Sequence, residues 1–497
     1  MLIFSSQQQK IMNYLALDLG AGSGRAIVGR INGNRLQLEE ILRFENIPVQ
    51  LRDTIYWDFL SLFANIKKGI ALAEKKGYAL SGIAVDTWGV DFGLLDQTGQ
   101  LLANPVTYRD NRTQGLSVEA FKYISKEKLY LITGLQLMEI NTLFQVLSLK
   151  KQNDPTLKIA DKLLFTPDLI NYFLTGIAVN EYTIASTSQL LNARTKAWEH
   201  GLFEKFALPK NIMQNIIFPG EVIGALTPPL IEETGAKQAK VFAVGSHDTA
   251  SAIAAIPAEG ENWAFLSSGT WSLLGVLIEN PILTDEAMAN DFTNEGGVNN
   301  RIRFLRNITG LWLYQRLIAE WEAMENKKQS YDEMLADAEK ATPFQSIVNT
   351  DDPAFSNPAK MSDAIREYCK KTNQKIPETK GELVRCVLES LAIKYAIVMG
   401  KLQKCSDKTI EKLYVVGGGS QNRLLNQFTA NALNMEVIIG LTEATAIGNI
   451  MQQAIADGSV KDWTEGHDII KNSFTFETYH PQENWQPIIE KNKYLFE

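Results

Sequence analysis

The chain has 497 residues, 45% of them hydrophobic and 21% charged, which is enough material for two or three buried cores. Its 49 lysines and arginines against 57 acidic residues leave a net charge of −8, with no basic run to follow a phosphate backbone, which argues against nucleic acid as a partner. No stretch supplies the roughly 18 consecutive apolar residues of a membrane helix, and the apolar start Met1-Leu-Ile-Phe4 is too short for a secretory signal, so no membrane partner and a cytoplasmic location are expected.

Met12 stands just ahead of the first long apolar run, so residues 1–13 read as a tail or a start-site extension. Residues 14–20 and 25–31 form two strands around the glycine-rich Asp18-Leu-Gly-Ala-Gly-Ser-Gly24, and Asn32-Gly33 turns the chain into a third strand over 36–44. Phe59, Leu62, Phe63, Ile66, Ile70 and Ala73 recur at steps of three and four, which marks an amphipathic helix, and 81–86 follows as a buried strand. Three strands, a helix and a strand are the opening of a ribonuclease H-like α/β unit. Beyond it, 106–109 reads as a strand, 116–130 as a helix, and 141–230 as an insertion that mixes helices with Pro and Gly turns. The run Val241-Phe-Ala-Val-Gly-Ser-His-Asp-Thr-Ala-Ser251 is a short strand that delivers the Asp248 carboxylate onto a Gly-Ser turn.

The second half repeats this order without a countable sequence period. Residues 264–268 and 272–278 make a hairpin around Ser-Gly-Thr, and Val384, Val387, Leu388, Leu391, Tyr395, Val398 and Leu402 mark a long helix. A strand over 413–416 ends in Gly417-Gly-Gly419, and a helix at 422–433, a strand at 436–439 and a helix at 442–457 follow. The most polar, linker-like stretch is 349–360. Two α/β domains are expected, 14–255 and 256–497. Cys369, Cys386 and Cys405 lack Cys-x-x-Cys spacing and a histidine pair, so they read as reduced thiols, with Cys369 and Cys386 able to pair in an oxidising setting.

Glycines at 20, 22 and 24 let backbone N–H groups approach phosphate oxygens, and Asp18 at the strand end can hold a hydrated Mg²⁺. The glycines are followed by a strand, not the helix that a dinucleotide fingerprint requires. Ser267-Ser-Gly-Thr-Trp-Ser272 supplies a second small-residue hairpin, and Gly417-Gly-Gly419 opens a helix whose free N–H groups suit an anionic or purine-bearing ligand. Each of these turns alone is also compatible with plain packing. Two hairpins, a late glycine loop and a strand-end aspartate between them form the set expected of a two-lobed ATP-binding fold.

On these residues the chain resembles the FGGY family of carbohydrate kinases, within the actin-like and hexokinase-like ATPases. Asp86-Thr-Trp-Gly-Val-Asp-Phe92, Tyr108-Arg-Asp-Asn-Arg-Thr113, Ser246-His-Asp-Thr-Ala-Ser251, Ser267-Ser-Gly-Thr-Trp-Ser272, Thr293-Asn-Glu-Gly-Gly297 and Asn307-Ile-Thr-Gly-Leu-Trp312 are most similar to the members that act on L-rhamnulose. The resemblance implies two ribonuclease H-like domains with a ligand cleft between them, and MgATP-dependent phosphorylation of the C1 hydroxyl of L-rhamnulose by a monomer or small homo-oligomer. It implies that Ala21, Gly22, Ser23, Gly24, Arg25, Thr270, Gln315 and Gly418 contact ATP, with Asp18 acting on its metal through water. It also implies that Gly89, His247, Asp248, Thr249 and Asn307 line the ketose, with Asp248 as the base. At Gly22 the family pattern has Ser or Thr.

Other residues keep two readings. Asp86 and Asp91 are sugar contacts or turn caps, Arg109, Asp110 and Arg112 an internal ion network or substrate contacts, and Trp271, Trp312 and Trp321 core aromatics or a sugar platform. The rival functions are a kinase for another ketose such as L-fuculose and a non-catalytic actin-like nucleotide sensor.

Overall fold

The structure, a computed structural model, describes residues 11–496. The expected tail therefore lies outside the described residues, apart from its last positions, where Met12 already opens the first strand. That strand, Met12–Leu19, pairs antiparallel with Ser23–Asn32, which pairs antiparallel with Arg35–Glu45. The turn between the second and third strands places Gly33 at φ 60°, a left-handed conformation that suits glycine. On its other side the first strand runs parallel to Gly82–Thr87, with Asp18 opposite Asp86. Lys240–Phe242 and Val222–Ala225 extend the sheet beyond Gly82–Thr87 to six strands.

Helix Phe59–Lys75 starts where the Asp58 side chain accepts from the Ser61 N–H. It turns Phe59, Leu62, Ile66, Ile70 and Ala73 into the core beneath the sheet, with Leu15, Leu17, Ile83 and Val85. The other face is covered by helix Ala444–Ala456, from far along the chain. Its Asn449 donates to the Ala84 carbonyl and Gln453 to the Leu15 carbonyl, and Ile450 lies where a Cβ on Gly29 would stand.

Two elements differ from their sequence reading. Residues 106–109 are a turn, with only Val106 bridged to Tyr56, because the Tyr108 N–H is taken by the Asp91 carboxylate and no ladder can continue. The helix expected over 116–130 is two, Leu116–Ala120 and Lys126–Thr133, because Ser125 caps the second by accepting from the Lys128 N–H. The insertion over 141–230 forms a second core around Phe144, Phe165, Phe203 and Phe206, shared with Phe92, Leu94, Leu116 and Leu129.

By packing, Met1–Pro257, Leu277–Phe304 and Ala444–Phe474 form one unit, and Ala258–Val276, Leu305–Glu443 and Thr475–Glu497 form another. The second unit is built on the hairpin Trp263–Ser268 and Trp271–Ile278. Lys412–Val416 and Glu436–Ile439 continue that sheet in parallel, and Glu477–Tyr479 closes it antiparallel. Helix Lys380–Ser406 begins with a capping box between Thr379 and Glu382 and buries Val384, Val387, Leu388, Leu391, Tyr395, Val398 and Leu402. Cys369 and Cys386 are buried free thiols. The stretch 349–360 is not a linker. Asp351 accepts the Thr309 N–H at 2.8 Å and pairs with the buried Lys394 at 2.8 Å, and Phe355 is 1% exposed, so this segment is fastened down by its polar residues.

Candidate active site

In the first unit the glycine loop is a tight hairpin whose carbonyls are already spoken for. The Gly20 N–H donates to the Ser23 carbonyl, while Asn46, 5% exposed, gives its side-chain amide to the Gly20 carbonyl and its backbone N–H to that of Gly22. Around Gly22 there is open space where a Cβ would stand, so the Ser or Thr of the family pattern would fit and the glycine is not a steric requirement. Gly24 differs. A Cβ there would sit 2.3 Å from the Phe44 ring, so a larger residue would disturb the strand packing before it reached any phosphate. Arg25 pairs with Asp18, its register partner across the hairpin.

Three carboxylates converge beneath this loop. Asp18 and Asp86 end adjacent parallel strands, both buried, and burial, then the charges of Asp18 and Asp248, pushes the Asp86 carboxyl well above the usual carboxylate range. Asn449 donates to Asp86 Oδ2 at 2.5 Å, whereas Oδ1 is buried with no partner among the described residues. A buried oxygen without a donor, beside a second carboxylate, is chemistry suited to a cation or its bound water. Among the described residues no three His, Cys, Asp or Glu side chains form a direct metal cage.

Asp248 opens helix Asp248–Ala254 with a side chain one-third exposed. Its Oδ1 accepts the Thr249 N–H at 2.5 Å and the Thr249 hydroxyl at 3.0 Å, so Thr249 orients this carboxylate. Oδ2 has no hydrogen-bond partner among the described residues. The preceding His247 sits next to Gly82–Thr87, because the Thr87 N–H donates to the Ser246 carbonyl at 2.8 Å. Its own N–H donates to the Thr183 hydroxyl oxygen, and that hydroxyl donates to Glu181. Burial raises the Glu181 carboxyl to about 7 against the four hydrogen bonds it accepts from Thr183, Ile184 and Ser246. Around the His247 ring, Nε2 lies 3.6 Å from Asp248 Oδ1, and Nδ1 lies 2.9 Å from the Arg303 guanidinium and 3.4 Å from Glu295.

Gly89 lies two residues beyond that strand end, with Thr187 3.3 Å from where its Cβ would be. The following Val90 has φ 68°, a conformation costing a β-branched residue about 1–2 kcal/mol. It is held by the Thr187 hydroxyl oxygen on its N–H and by the Thr142 hydroxyl and Gln145 amide on its carbonyl. Asp91 is buried and bonded internally, as the turn-cap reading has it. Trp57, Trp88, the Tyr108 N–H and Gln145 all donate to its buried oxygens, so it is the hub that fixes the Gly89 turn. Asp110 accepts from Ile55 and Arg112 backbone N–H groups, and Arg112 reaches Gln145, which makes this pair structural, while Arg109 lies over the Tyr108 ring.

In the second unit the Thr270 hydroxyl donates to Gln315 Oε1 at 2.9 Å, and the Gly310 and Leu311 N–H groups donate to the Thr270 and Gly269 carbonyls of the same turn. Gly417, at φ 85°, packs against the Ser268 carbonyl, and Gly418 follows with open space around its Cβ position. Asn307 lies on strand Ile302–Thr309. Ser272 meets the Tyr395 hydroxyl at 2.7 Å on the buried side of its strand, which turns Trp271 outward at 40% exposure. Trp321 is core, and Trp312 is tied to the Phe355 carbonyl.

Gly89, His247, Asp248, Thr249, Asp18 and the 20–25 loop thus belong to the first unit, and Thr270, Gln315, Gly418 and Asn307 to the second. Sequence reasoning missed Asn46, Glu181, Asn449 and Arg303. Only Arg303 had a usable signal, its closeness to the Thr293-Asn-Glu-Gly-Gly297 segment.

The model for the FGGY family of carbohydrate kinases, N-terminal domain, matches residues 13–255, and that for the C-terminal domain matches 264–456. A rhamnulokinase of Bacteroides thetaiotaomicron is 46% identical over 95% of this chain and 96% of its own length. One of Bacillus subtilis is 39% identical over 95% and 96%. Among solved structures, a gluconate kinase from Lactobacillus acidophilus covers 98% of this chain and 96% of its own at a TM-score of 0.79 and 17% identity. Plasmodium falciparum glycerol kinase with ADP covers 98% and 97% at 0.79 and 15%, and such likeness speaks for the fold alone. The ribonuclease H-like, two-domain fold is therefore that of sugar and glycerol kinases, and the chain belongs to the FGGY family of carbohydrate kinases.

Proposed function

We propose that this carbohydrate kinase transfers the γ-phosphoryl group of ATP to the C1 hydroxyl of L-rhamnulose, giving L-rhamnulose 1-phosphate and ADP. The observation that carries the catalytic half is the Asp248 carboxylate, anchored through Oδ1 by Thr249 and open at Oδ2. A sugar hydroxyl is a poor nucleophile at neutral pH, and an oriented carboxylate within hydrogen-bond reach takes its proton as the oxygen attacks phosphorus. His247 and Gly89 lie near the same strand end and would contact the ketose, and Asn307 is a further proposed ketose contact.

Backbone N–H groups of 21–25 and the side chains of Arg25, Thr270 and Gln315, with Gly418, would hold the nucleotide. Mg²⁺ is the divalent ion we assign, and when bound it offsets charge on the phosphoryl oxygens. Asp18 would hold its water shell, and the unpartnered Oδ1 of Asp86 supports an acceptor role beside it. The preference for L-rhamnulose rests on the kinship with rhamnulokinases.

An ADP-release assay with MgATP against L-rhamnulose, L-fuculose, D-xylulose, L-ribulose and glycerol tests both halves. Selective turnover of L-rhamnulose is expected. Preference for another ketose overturns the substrate assignment and keeps the reaction, whereas ATP binding without turnover of any sugar favours the sensor reading.

A further inference from the structure

We propose that Arg303 is a positioning residue for the sugar site: it holds His247 in the Nε2–H tautomer, so that the ring presents a donor to the ketose beside Asp248. This rests on the placement of His247 and Asp248 at the sugar. The Arg303 side chain is 0% exposed, and its orientation is set by Nε donating to the Gly296 carbonyl at 2.8 Å. Its Nη2 then lies 2.9 Å from His247 Nδ1 and 3.2 Å from Glu295 Oε2. A guanidinium has five donors, no acceptor, and no accessible neutral form. At 2.9 Å from it, Nδ1 must offer its lone pair, and the neutral ring then carries its proton on Nε2.

The alternative tautomer would aim Nδ1–H at Glu295, 3.4 Å away, while facing it into the N–H groups of Arg303 at 2.9 Å. That arrangement sets two donors against each other and is the weaker one. The charged and titratable groups facing the ring are therefore Arg303, Glu295 and Asp248, with Glu181 behind the Thr183 hydroxyl that accepts the His247 N–H.

The tautomer matters for the chemistry. Nε2 is 3.6 Å from Asp248 Oδ1, too far for a good hydrogen bond between them but close enough for both to reach one substrate. The ketose brings two neighbouring oxygens: a C1 hydroxyl that must give up its proton, and a C2 oxygen that can accept one hydrogen bond. Asp248 is the acceptor for the first and His247 Nε2–H the donor for the second. In the opposite tautomer the ring would present a lone pair to the C2 oxygen and would compete with Asp248 for the C1 proton.

The test begins with the wild-type enzyme. The chain has four histidines, so ¹⁵N-histidine labelling with His247→Gln as the assignment control resolves the ring. The expected spectrum shows a protonated Nε2 and an unprotonated Nδ1, and a protonated Nδ1 in neutral His247 overturns the proposal. Arg303→Met should release the tautomer to a mixture and lower kcat/KM for the ketose by about 10-fold or more, with the KM for ATP retained. Because that variant also removes the guanidinium beside Glu295, Arg303→Met with Glu295→Gln serves as the charge-matched version. In the His247→Gln background the Arg303 substitution should cost little further. Full additivity would show that Arg303 acts on the fold and not through His247. If His247→Gln alone leaves kcat/KM unchanged, the sugar-site assignment of His247 fails, and the wild-type spectrum still reports separately on the tautomer.

Discussion

Asp248 sits where one oxygen is committed and the other is open, and this asymmetry decides what its replacement should do. Asparagine keeps the size and can still accept from Thr249, so the turn should survive, but it cannot take the proton of a sugar hydroxyl. Asp248→Asn is expected to lower kcat by on the order of 10²–10⁴ with nucleotide affinity largely kept. Steady-state kinetics together with ATP titration would check this, and near-normal turnover would remove Asp248 from the role of base. Asp91 shows the opposite condition. Its buried oxygens accept from four donors, three on Oδ2 and one on Oδ1, so it is built into the turn although it carries the same charge and also follows a strand end.

At the scale of elements, helix Ala444–Ala456 presses so closely on the Asp248 helix that a Cβ on Gly448 would lie 1.9 Å from the Ser251 carbonyl oxygen. Backbone cannot yield there without moving the segment that carries Asp248. Gly448→Ala is therefore expected to cost about 1–3 kcal/mol in denaturant unfolding and to reduce kcat as well. Loss of stability with unchanged turnover would mean that the two helices are not coupled as described. Elements of this kind were legible in the sequence wherever the signal is local. The Asn32-Gly33 turn, the three- and four-residue steps of Phe59–Lys75 and the strand ahead of Asp248 all announce themselves within a few residues. The 106–109 segment did not, because its Tyr108 N–H is claimed by a carboxylate 17 positions earlier in the chain, at Asp91. Asn449 was invisible for the same reason, since it acts on Asp86, and Arg303, although near the Thr293–Gly297 segment, acts on His247, which is also distant in sequence.

For the whole molecule, the consequential fact is that the first unit is assembled from three separate stretches, Met1–Pro257, Leu277–Phe304 and Ala444–Phe474. A fragment ending at Pro257 would expose the sheet face that Asn449, Ile450 and Gln453 cover, and would leave His247 without Arg303. It is expected to be largely aggregated or lacking cooperative unfolding, as judged by sedimentation and thermal circular dichroism, and co-expression of 444–474 alone should not restore activity. A soluble, cooperatively melting fragment would overturn this. The same threading sets a timetable for biosynthesis. The carboxylate strand, the glycine hairpin and Asp248 leave the ribosome early, but the helix that donates to Asp86 emerges only after some 440 residues have been made. Chains released prematurely thus lack the Asn449 amide that holds Asp86 Oδ2, and the carboxylate pair at the strand ends is left without its last fixed donor.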